Sequence, residues 1–354
     1  MTKKNIRIKD IAKLAGVSTG TVDRVLHNRG KVSESALKKV MEVMEGIDYQ
    51  PNVIARTLGS NKTHRIAALV PDPNVDPYWA QSMSGIARAE SEWNKYGVFI
   101  NRYLFNQYDK DSFVQSASEV LKGNPAGVLI APLFYHEALP FFNQCKERQV
   151  PYVLFNTRIQ EAEPICFIGQ ELHRSGRVAA ALVEMGQPYP CSFAVLHIHE
   201  DIPNSPHLTE KENGFREYFS DLKKPGFEIK TFMMDGPENP SFESQCQSVL
   251  NMKNLKGIFV STSKVFAIAE YIRKHSRKGI RLVGYDLLDS NMQYLKSGQI
   301  NFVINQNPKR QAFLGISHLA SSLVFKANVP KNDLLPLEVI TGENLQSYLN
   351  SHIH

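Results

Sequence analysis

Within nine residues, Thr19, Gly20, Asp23, Arg24 and His27 supply a hydroxyl, a bare backbone, a carboxylate, a guanidinium and an imidazole. At helical spacing these five share one solvent-facing side. Such a face can meet base edges and phosphates, and a guanidinium suits the O6 and N7 acceptors of guanine. The elements that must hold it lie on either side. Ile8, Ile11, Ala12 and Ala15 form one apolar or small set, and Val17, Thr21, Val22 and Val25 form a second. Offsets of three and four put each set on one face of a short helix. Between them Ala15-Gly16-Val17 makes a tight break, with glycine where the chain turns. Ser18 is placed to cap the second helix by accepting a free backbone N–H. Two short helices joined by a three-residue turn with glycine describe a helix-turn-helix. Taken alone, the pattern equally suits an ordinary helical hairpin with a solvated polar face.

The next segment separates these alternatives. Ser33 is expected to cap a third helix, in which Leu37, Val40, Met41 and Met44 repeat at helical spacing up to Gly46. Tyr49-Gln50-Pro51-Asn52 follows, then Val53 to Gly59, a helix of under two turns and too short to be stable alone. The run resembles the LacI/GalR family of bacterial transcriptional regulators. Asp10-Ile11-Ala12, Ala15-Gly16-Val17-Ser18, Thr21-Val22, Arg24-Val25-Leu26, Val32-Ser33, Tyr49-Gln50-Pro51-Asn52 and Ala55 with Leu58 carry the match.

That resemblance implies a DNA-binding headpiece over residues 1–50 and a hinge helix with linker over 51–63. The second helix is expected in a major groove, with Thr19, Gly20 and Arg24 at the bases. Ser18, Thr21, Lys31, Ser33 and Asn52 are expected at phosphates, which fix register. Tyr49 and Ala55 join the interface, and Leu58 is expected to wedge a minor-groove step. Asp23 departs from the pattern, standing where a serine is usual. Its carboxylate would be repelled by phosphate unless it accepts from a cytosine amino group or pairs with His27, four residues on.

Charge agrees with this division. Residues 1–64 carry twelve Lys and Arg against six Asp and Glu, so the net charge of +6 resides there and the remaining 290 residues are balanced. A basic surface draws nucleic acid by counterion release. The N-terminal residues MTKKNIRIKD lack the apolar core of an export signal. No run reaches the length that spans a bilayer, so a cytoplasmic protein without a membrane partner is expected. Cys145, Cys166, Cys191 and Cys246 are widely spaced and read as buried, reduced thiols. His197 and His199 alternate on an expected strand and so face one way, but no further ligand pattern accompanies them; neither metal nor cofactor is expected.

Beyond the polar stretch Gly59 to Thr63 the texture becomes alternating strands and helices. Strands are expected at Ile66–Val70, Val98–Leu104, Gly127–Ile130 and Tyr152–Phe155, and again at Phe193–Leu196, Glu228–Met233, Gly257–Val260 and Ile280–Val283. Helices are expected at Gln81–Tyr96, Asp111–Lys122 and about Leu139–Arg148. Two such runs predict two doubly wound lobes of mostly parallel sheet over residues 64–354. The fold class is thus an all-α helix-turn-helix headpiece followed by an α/β two-lobed domain.

The second part resembles the fold shared by LacI/GalR sensors and periplasmic binding proteins, on its ribose-binding side. The resemblance implies a small-molecule effector, a sugar or sugar derivative, between the lobes. Asp76, Tyr78 and Trp79 fall where that branch places polar and aromatic contacts, and Asn156 matches a carboxylate position. Glu171-Leu172 replaces a usual Asp-Asn pair and takes no role. Lys211 stands for an arginine and Thr262 for an asparagine. Asp286, in Gly284-Tyr285-Asp286, and Gln306 complete the expected ligand set. Most of these lie near strand C-termini, where open α/β sheets bind ligands.

No GxGxxG, GxxxxGK or GxSxG pattern accompanies the fold, so catalysis is not expected. The attached headpiece and absent signal argue against an exported binding protein. The expected function is a homodimeric, ligand-responsive regulator on a near-palindromic operator, a repressor of sugar uptake or breakdown genes. A corepressor-type or activating response, or a non-sugar effector, stays open, as do the operator and the choice of dimer or tetramer.

Overall fold

A computed structural model of the chain describes residues 7–27, 30–47, 62–199, 205–223 and 226–351, with only the backbone of His27. Two compact units are present, Met1–Ser60 and Asn61–His354.

In the first unit, α1 spans Ile8–Ala15, α2 Thr19–His27 and α3 Glu34–Gly46. Gly16 ends α1 at φ 64°, the left-handed region where a Cβ is costly. Ser18 Oγ accepts from the Thr21 N–H at 3.1 Å, the expected cap. Ile11, Ala12, Ala15, Val22 and Val40 make the core, flanked by Ile8, Val17, Val25, Leu26, Val43, Met44 and Ile47. The third helix departs from expectation. Leu37 and Met41 are 43% and 45% exposed, because the packed face of α3 runs through Val40, Val43, Met44 and Ile47. Ser33 occupies the N-cap position of α3 without a side-chain capping bond. Tyr49, Asn52, Ala55, Leu58 and the short helix expected there lie outside the described residues.

The second unit holds two six-stranded sheets. In the first lobe, β1 is His64–Pro71, β2 Val98–Phe105, β3 Gly127–Ile130, β4 Tyr152–Phe155, β5 Cys166–Gly169 and β11 Asn332–Leu334. They lie in the order β11-β5-β4-β3-β1-β2, all parallel. In the second lobe, β6 is Cys191–Ile198, β7 Phe227–Met234, β8 Leu255–Val260, β9 Arg281–Tyr285, β10 Phe302–Asn305 and β12 Glu338–Ile340. Their order β12-β10-β9-β8-β6-β7 repeats the first lobe strand for strand. One departure from a wholly parallel arrangement is β12, which pairs antiparallel with β10. The runs Ile66–Val70 and Phe193–Leu196 are buried throughout, as strands covered on both faces must be. Four short strands, β5, β10, β11 and β12, go beyond the series expected from periodicity.

Helices α4 (Trp79–Trp93), α5 (Lys110–Lys122) and α6 (Tyr135–Glu147) cover the first sheet. Helices α7 (Leu172–Glu184), α8 (Pro206–Asp221), α9 (Ser241–Leu250), α10 (Val265–Lys274) and α11 (Asp289–Lys296) belong to the second lobe. The chain crosses between lobes three times: after β5, after β10, and between β11 and β12. After the second crossing α12 (Pro308–Phe325) returns to the first lobe, and after the third α13 (Leu345–Ser351) packs on the second. Gln170, on the first crossing, donates both amide hydrogens to the others, at 2.9 Å to Asn305 O and 2.7 Å to Pro336 O.

The helix that begins each crossed-over segment packs unusually close to its neighbour. On α7 a Cβ at Gly176 would fall 1.9 Å from Lys211 O of α8, and one at Gly214 of α8 would fall 1.9 Å from His173 O. Arg177 reinforces the contact by donating to Glu217 at 2.9 Å and Asp221 at 2.8 Å. Gly176→Ala should therefore force α7 and α8 apart and lower stability by about 1–3 kcal/mol. Urea unfolding of the wild type and the variant checks this; an unchanged midpoint would mean the helices do not meet this closely.

Candidate functional site

On the first unit, the side chains of the expected DNA face are placed outward. Ser18, Thr19, Gly20, Asp23, Arg24, Lys31 and Ser33 are exposed, and Thr21 is half-buried. The hairpin core holds Val22 beneath them, so the face is presented by a packed helix. Ser18 Oγ is already engaged by Thr21, through its N–H and its hydroxyl at 2.9 Å. The side chain of His27, with which Asp23 is expected to pair, lies outside the described residues.

The second unit has a cleft between its lobes. One cavity there is lined by all eight residues expected to bind ligand: Asp76, Tyr78, Trp79, Asn156, Lys211, Thr262, Asp286 and Gln306. The space open to the centres of water-sized molecules is about 50 Å³, room for roughly four waters.

Strand ends explain the convergence. Asn156 follows β4 and Asp286 follows β9, equivalent strands of the two lobes. Both adopt φ near the left-handed region, at 67° and 66°, where Asn and Asp are tolerated best. Their N–H groups pair alike, with Ile168 O and Ile304 O. Asp286 is 1% exposed and accepts from the Gln306 N–H at 3.0 Å and from Gln306 Nε2 at 2.7 Å. Burial raises its carboxyl pKa to about 6, against the opposing effect of Gln306 and Lys211. Asn156 Nδ2 donates to the Tyr78 hydroxyl at 2.5 Å, leaving the phenolic proton for another acceptor. Trp79 packs edge-on to Phe155 and Tyr78, and its indole N–H donates to Gln107 Oε1 at 2.6 Å.

Lys211 keeps the cation expected of an arginine position but uses it differently. Its ammonium lies 3.8 Å from the centre of the Tyr285 ring and donates to Ser261 O at 3.0 Å. Thr262 lines the cavity, with its hydroxyl oxygen also taken up by the Lys264 N–H at 3.4 Å.

Across the cleft the lobes are joined. Lys264 of the second lobe donates to Asp76 of the first at 3.1 Å. Asp76 also accepts from Gln107 and from the Tyr78 N–H, and despite a burial penalty Lys264 and these donors hold its pKa below the usual value. Tyr108 stacks on His199, ring centres 4.0 Å apart and 3° from parallel. Gln81 donates to Leu287 O at 3.1 Å.

Five polar wall residues escaped the sequence reading: Gln107, His207, Ser261, Ser263 and Lys264. The polar run Ser261-Thr262-Ser263-Lys264 directly after β8 was a usable signal, since it too sits at a strand C-terminus. His207 gave none.

His197 and His199 do not share a face. His197 is on β6, buried between Ser261 Oγ and Glu212 Oε2, each at 2.7 Å. His199 lies past the strand end at φ 55°, where the alternation stops, and pairs with Glu238 at 3.1 Å. Among the described residues no group of three or more His, Cys, Asp or Glu is placed to hold a metal ion. The four cysteines are buried free thiols. No described helix is long and apolar enough to cross a membrane.

The raised pKa of Asp286 has a consequence for stability. A carboxyl that holds its proton more tightly when folded contributes stability at low pH and loses it as pH rises from about 4 to about 6. Asp286→Asn should remove that loss, so the variant gains on the wild type across this interval, by about 3 kcal/mol at most, and stays level above it. Denaturant titrations from pH 4 to 8 check this. A constant difference between the two proteins would mean that Asp286 titrates normally.

Comparison with known proteins agrees with both units. The family model of bacterial regulatory proteins, lacI family, matches residues 7–52. The periplasmic binding protein domain model matches residues 66–327. A sucrose operon repressor of Streptococcus mutans is 24% identical over 351 residues, covering 96% of this chain and 99% of that protein. The HTH-type transcriptional regulator MalR of Streptococcus pneumoniae is 30% identical over 164 residues, which is 45% of this chain and 48% of MalR. A crystal structure from Bacteroides fragilis, of a candidate LacI transcriptional regulator, aligns with TM-score 0.76 and 28% identity over 81% of this chain and 100% of that one. With a helix-turn-helix that presents its polar face outward and a two-lobed domain whose strand ends meet in a small-molecule cleft, the chain belongs to the LacI family of bacterial transcriptional regulators.

Proposed function

We propose that this regulator is a homodimeric repressor of genes for sugar uptake or breakdown, acting in the cytoplasm, with a sugar or sugar derivative as effector. The observation that carries the sugar reading is the cavity between the lobes. It gathers carboxylate, amide, hydroxyl and ammonium groups beside Tyr78 and Trp79, the mixture that holds a ring with polar edges and an apolar C–H face. End-to-end similarity to a sucrose operon repressor supports the same class of regulated gene. The relatives are regulators, and the groups in the cleft serve binding without any reaction step.

In this reading the headpiece occupies residues 1–50, residues 51–63 form a hinge, and 64–354 sense ligand and dimerise. Arg24, Thr19 and Gly20 read bases, while Ser18, Thr21, Lys31, Ser33 and Asn52 hold phosphates. Tyr49 and Ala55 join the DNA interface, and Leu58 wedges a minor-groove step. Two-fold symmetry of the dimer calls for a near-palindromic operator. The Asp76–Lys264 pair, the Tyr108–His199 stack and the Gln81–Leu287 bond join the two lobes, so a ligand that alters lobe closure changes the geometry passed to the hinge.

Asp286→Ala should abolish the response of operator binding to sugar while leaving ligand-free operator affinity intact. Loss of a buried, charge-assisted hydrogen bond costs about 1.5–3 kcal/mol, a tenfold or greater fall in sugar affinity by calorimetry. Unchanged affinity would take Asp286 out of the site. Asp23→Ser tests the reading face. Relieved phosphate repulsion should strengthen binding to random DNA and steepen its salt dependence. If Asp23 holds His27, operator preference stays the same and His27→Ala erases much of the difference between the two proteins. A changed base preference at one operator position would instead assign Asp23 to cytosine.

A further inference from the structure

The second-lobe wall of the cavity has a hydrogen-bonding polarity that restricts what can bind there. Ser261 is fully buried and lines the cavity at the end of β8. Its hydroxyl lies 2.7 Å from His197 Nδ1 and 3.2 Å from Leu196 O. Behind it His197 Nε2 meets Glu212 Oε2 at 2.7 Å, and Glu212 is further engaged by Arg216 and Thr231. A carboxylate only accepts, so Nε2 of His197 carries a proton toward Glu212. If Nδ1 is bare, the Ser261 proton points to it. If Nδ1 is also protonated, Ser261 accepts from it and gives its own proton to Leu196 O. In both cases that proton is committed inside the wall, and Ser261 shows only lone pairs to the cavity.

His207 stands in the same wall, in the first turn of α8. Its Nδ1 is buried and has no hydrogen-bond partner among the described residues. Burial, with Lys211 and His197 nearby, lowers its pKa to about 3, so the ring is neutral at physiological pH. A buried, unpaired ring nitrogen is costly, and a ligand atom that satisfies it gains by that amount. A neutral imidazole nitrogen can require either a donor or an acceptor, depending on tautomer. With Nδ1 protonated, a ligand hydroxyl accepts from it and donates its one proton to Ser261; with Nδ1 bare, that proton goes to Nδ1; a carboxylate or phosphate oxygen can donate in neither case.

Charge in the rest of the cavity points the same way. Its carboxylates, Asp76 and Asp286, are balanced by two ammonium groups, Lys264 and Lys211. Lys264 is committed to Asp76 across the cleft, and Lys211 to Ser261 O and the Tyr285 ring. An added anion would face Asp286 with both cations already occupied.

We propose that the effector is a neutral polyhydroxy compound with one hydroxyl seated between His207 Nδ1 and Ser261 Oγ, and that carboxylated and phosphorylated sugars are rejected. This rests on the reading of the cleft as a sugar site. The test is calorimetry on the full chain with neutral pentoses, hexoses and hexitols, each paired with its uronate and its phosphate ester. At least one neutral compound should bind, with its uronate and phosphate at least about tenfold weaker. For that compound His207→Ala should lower affinity about tenfold, Ser261→Ala should lower it similarly, and His207→Asn, which restores a polar atom near Nδ1, should recover most of the loss. Thermal transitions of the variants establish that they are folded. A uronate or phosphate binding as tightly as its neutral parent overturns the inference and leaves the sugar reading standing. Unchanged affinity in both His207→Ala and Ser261→Ala removes the subsite. Absence of binding by every neutral and anionic sugar removes the sugar reading itself, and the inference with it.

Discussion

Three passages of chain between the lobes have to be held side by side, and the amide of Gln170 does this. Its two hydrogens reach Asn305 O and Pro336 O, one on each of the other crossings, in a site only 4% exposed. The cost is visible in the same side chain, whose Oε1 is buried without a partner among the described residues. Two strong bonds to main-chain carbonyls outweigh one orphaned oxygen, because an unpaired carbonyl at each crossing would cost about as much again. Gln311 continues the tie by accepting from the Asn156 N–H and donating to Gln306 O, at 2.8 Å each. Two ligand-wall residues from different lobes are thereby attached to one another through the hinge.

The repeated sheet order gives the cleft its shape. Equivalent strands end at Asn156 and Asp286, and each residue turns its backbone into the left-handed region at the edge of its sheet. One end carries an amide and the other a carboxylate. The amide is used to orient Tyr78, while the carboxylate is buried and cradled by Gln306. In the proposed function that buried acceptor is the group a ligand hydroxyl would reach.

Electrostatics also couples ligand binding to lobe closure. Asp76 and Lys264 approach one another only when the lobes are together, and both line the cavity. Removed from water on both sides, the pair is screened less than a surface pair. A ligand that competes for either group acts directly on the bond that joins the lobes. Close packing of α7 on α8 through Gly176 and Gly214 fixes these two helices of the second lobe together, with Lys211 and His207 on α8.

Much of this was legible in the chain itself. Period-3.6 spacing with Gly16 and Ser18 specified the helix-turn-helix, and buried apolar runs specified most strands, since both patterns record which face of an element leaves water. Asp76, Asn156, Asp286 and Gln306 could be named from the resemblance to periplasmic binding proteins, and most of them lie near strand C-termini. The exposed Leu37 and Met41 show the limit: periodicity finds a helix but not how much of its apolar side its neighbours cover. Strands β11 and β12, three residues each, carried too few residues to show a period. Only tertiary structure joined Gln170 to residue 305, Asp76 to Lys264 over 188 positions, and Ser261 to His197 over 64. It alone left His207 Nδ1 unpaired in the wall. Hydrogen-bond polarity in the cleft depends on which distant strands lie adjacent and on where their ends stop, and neither is written in any local run of residues.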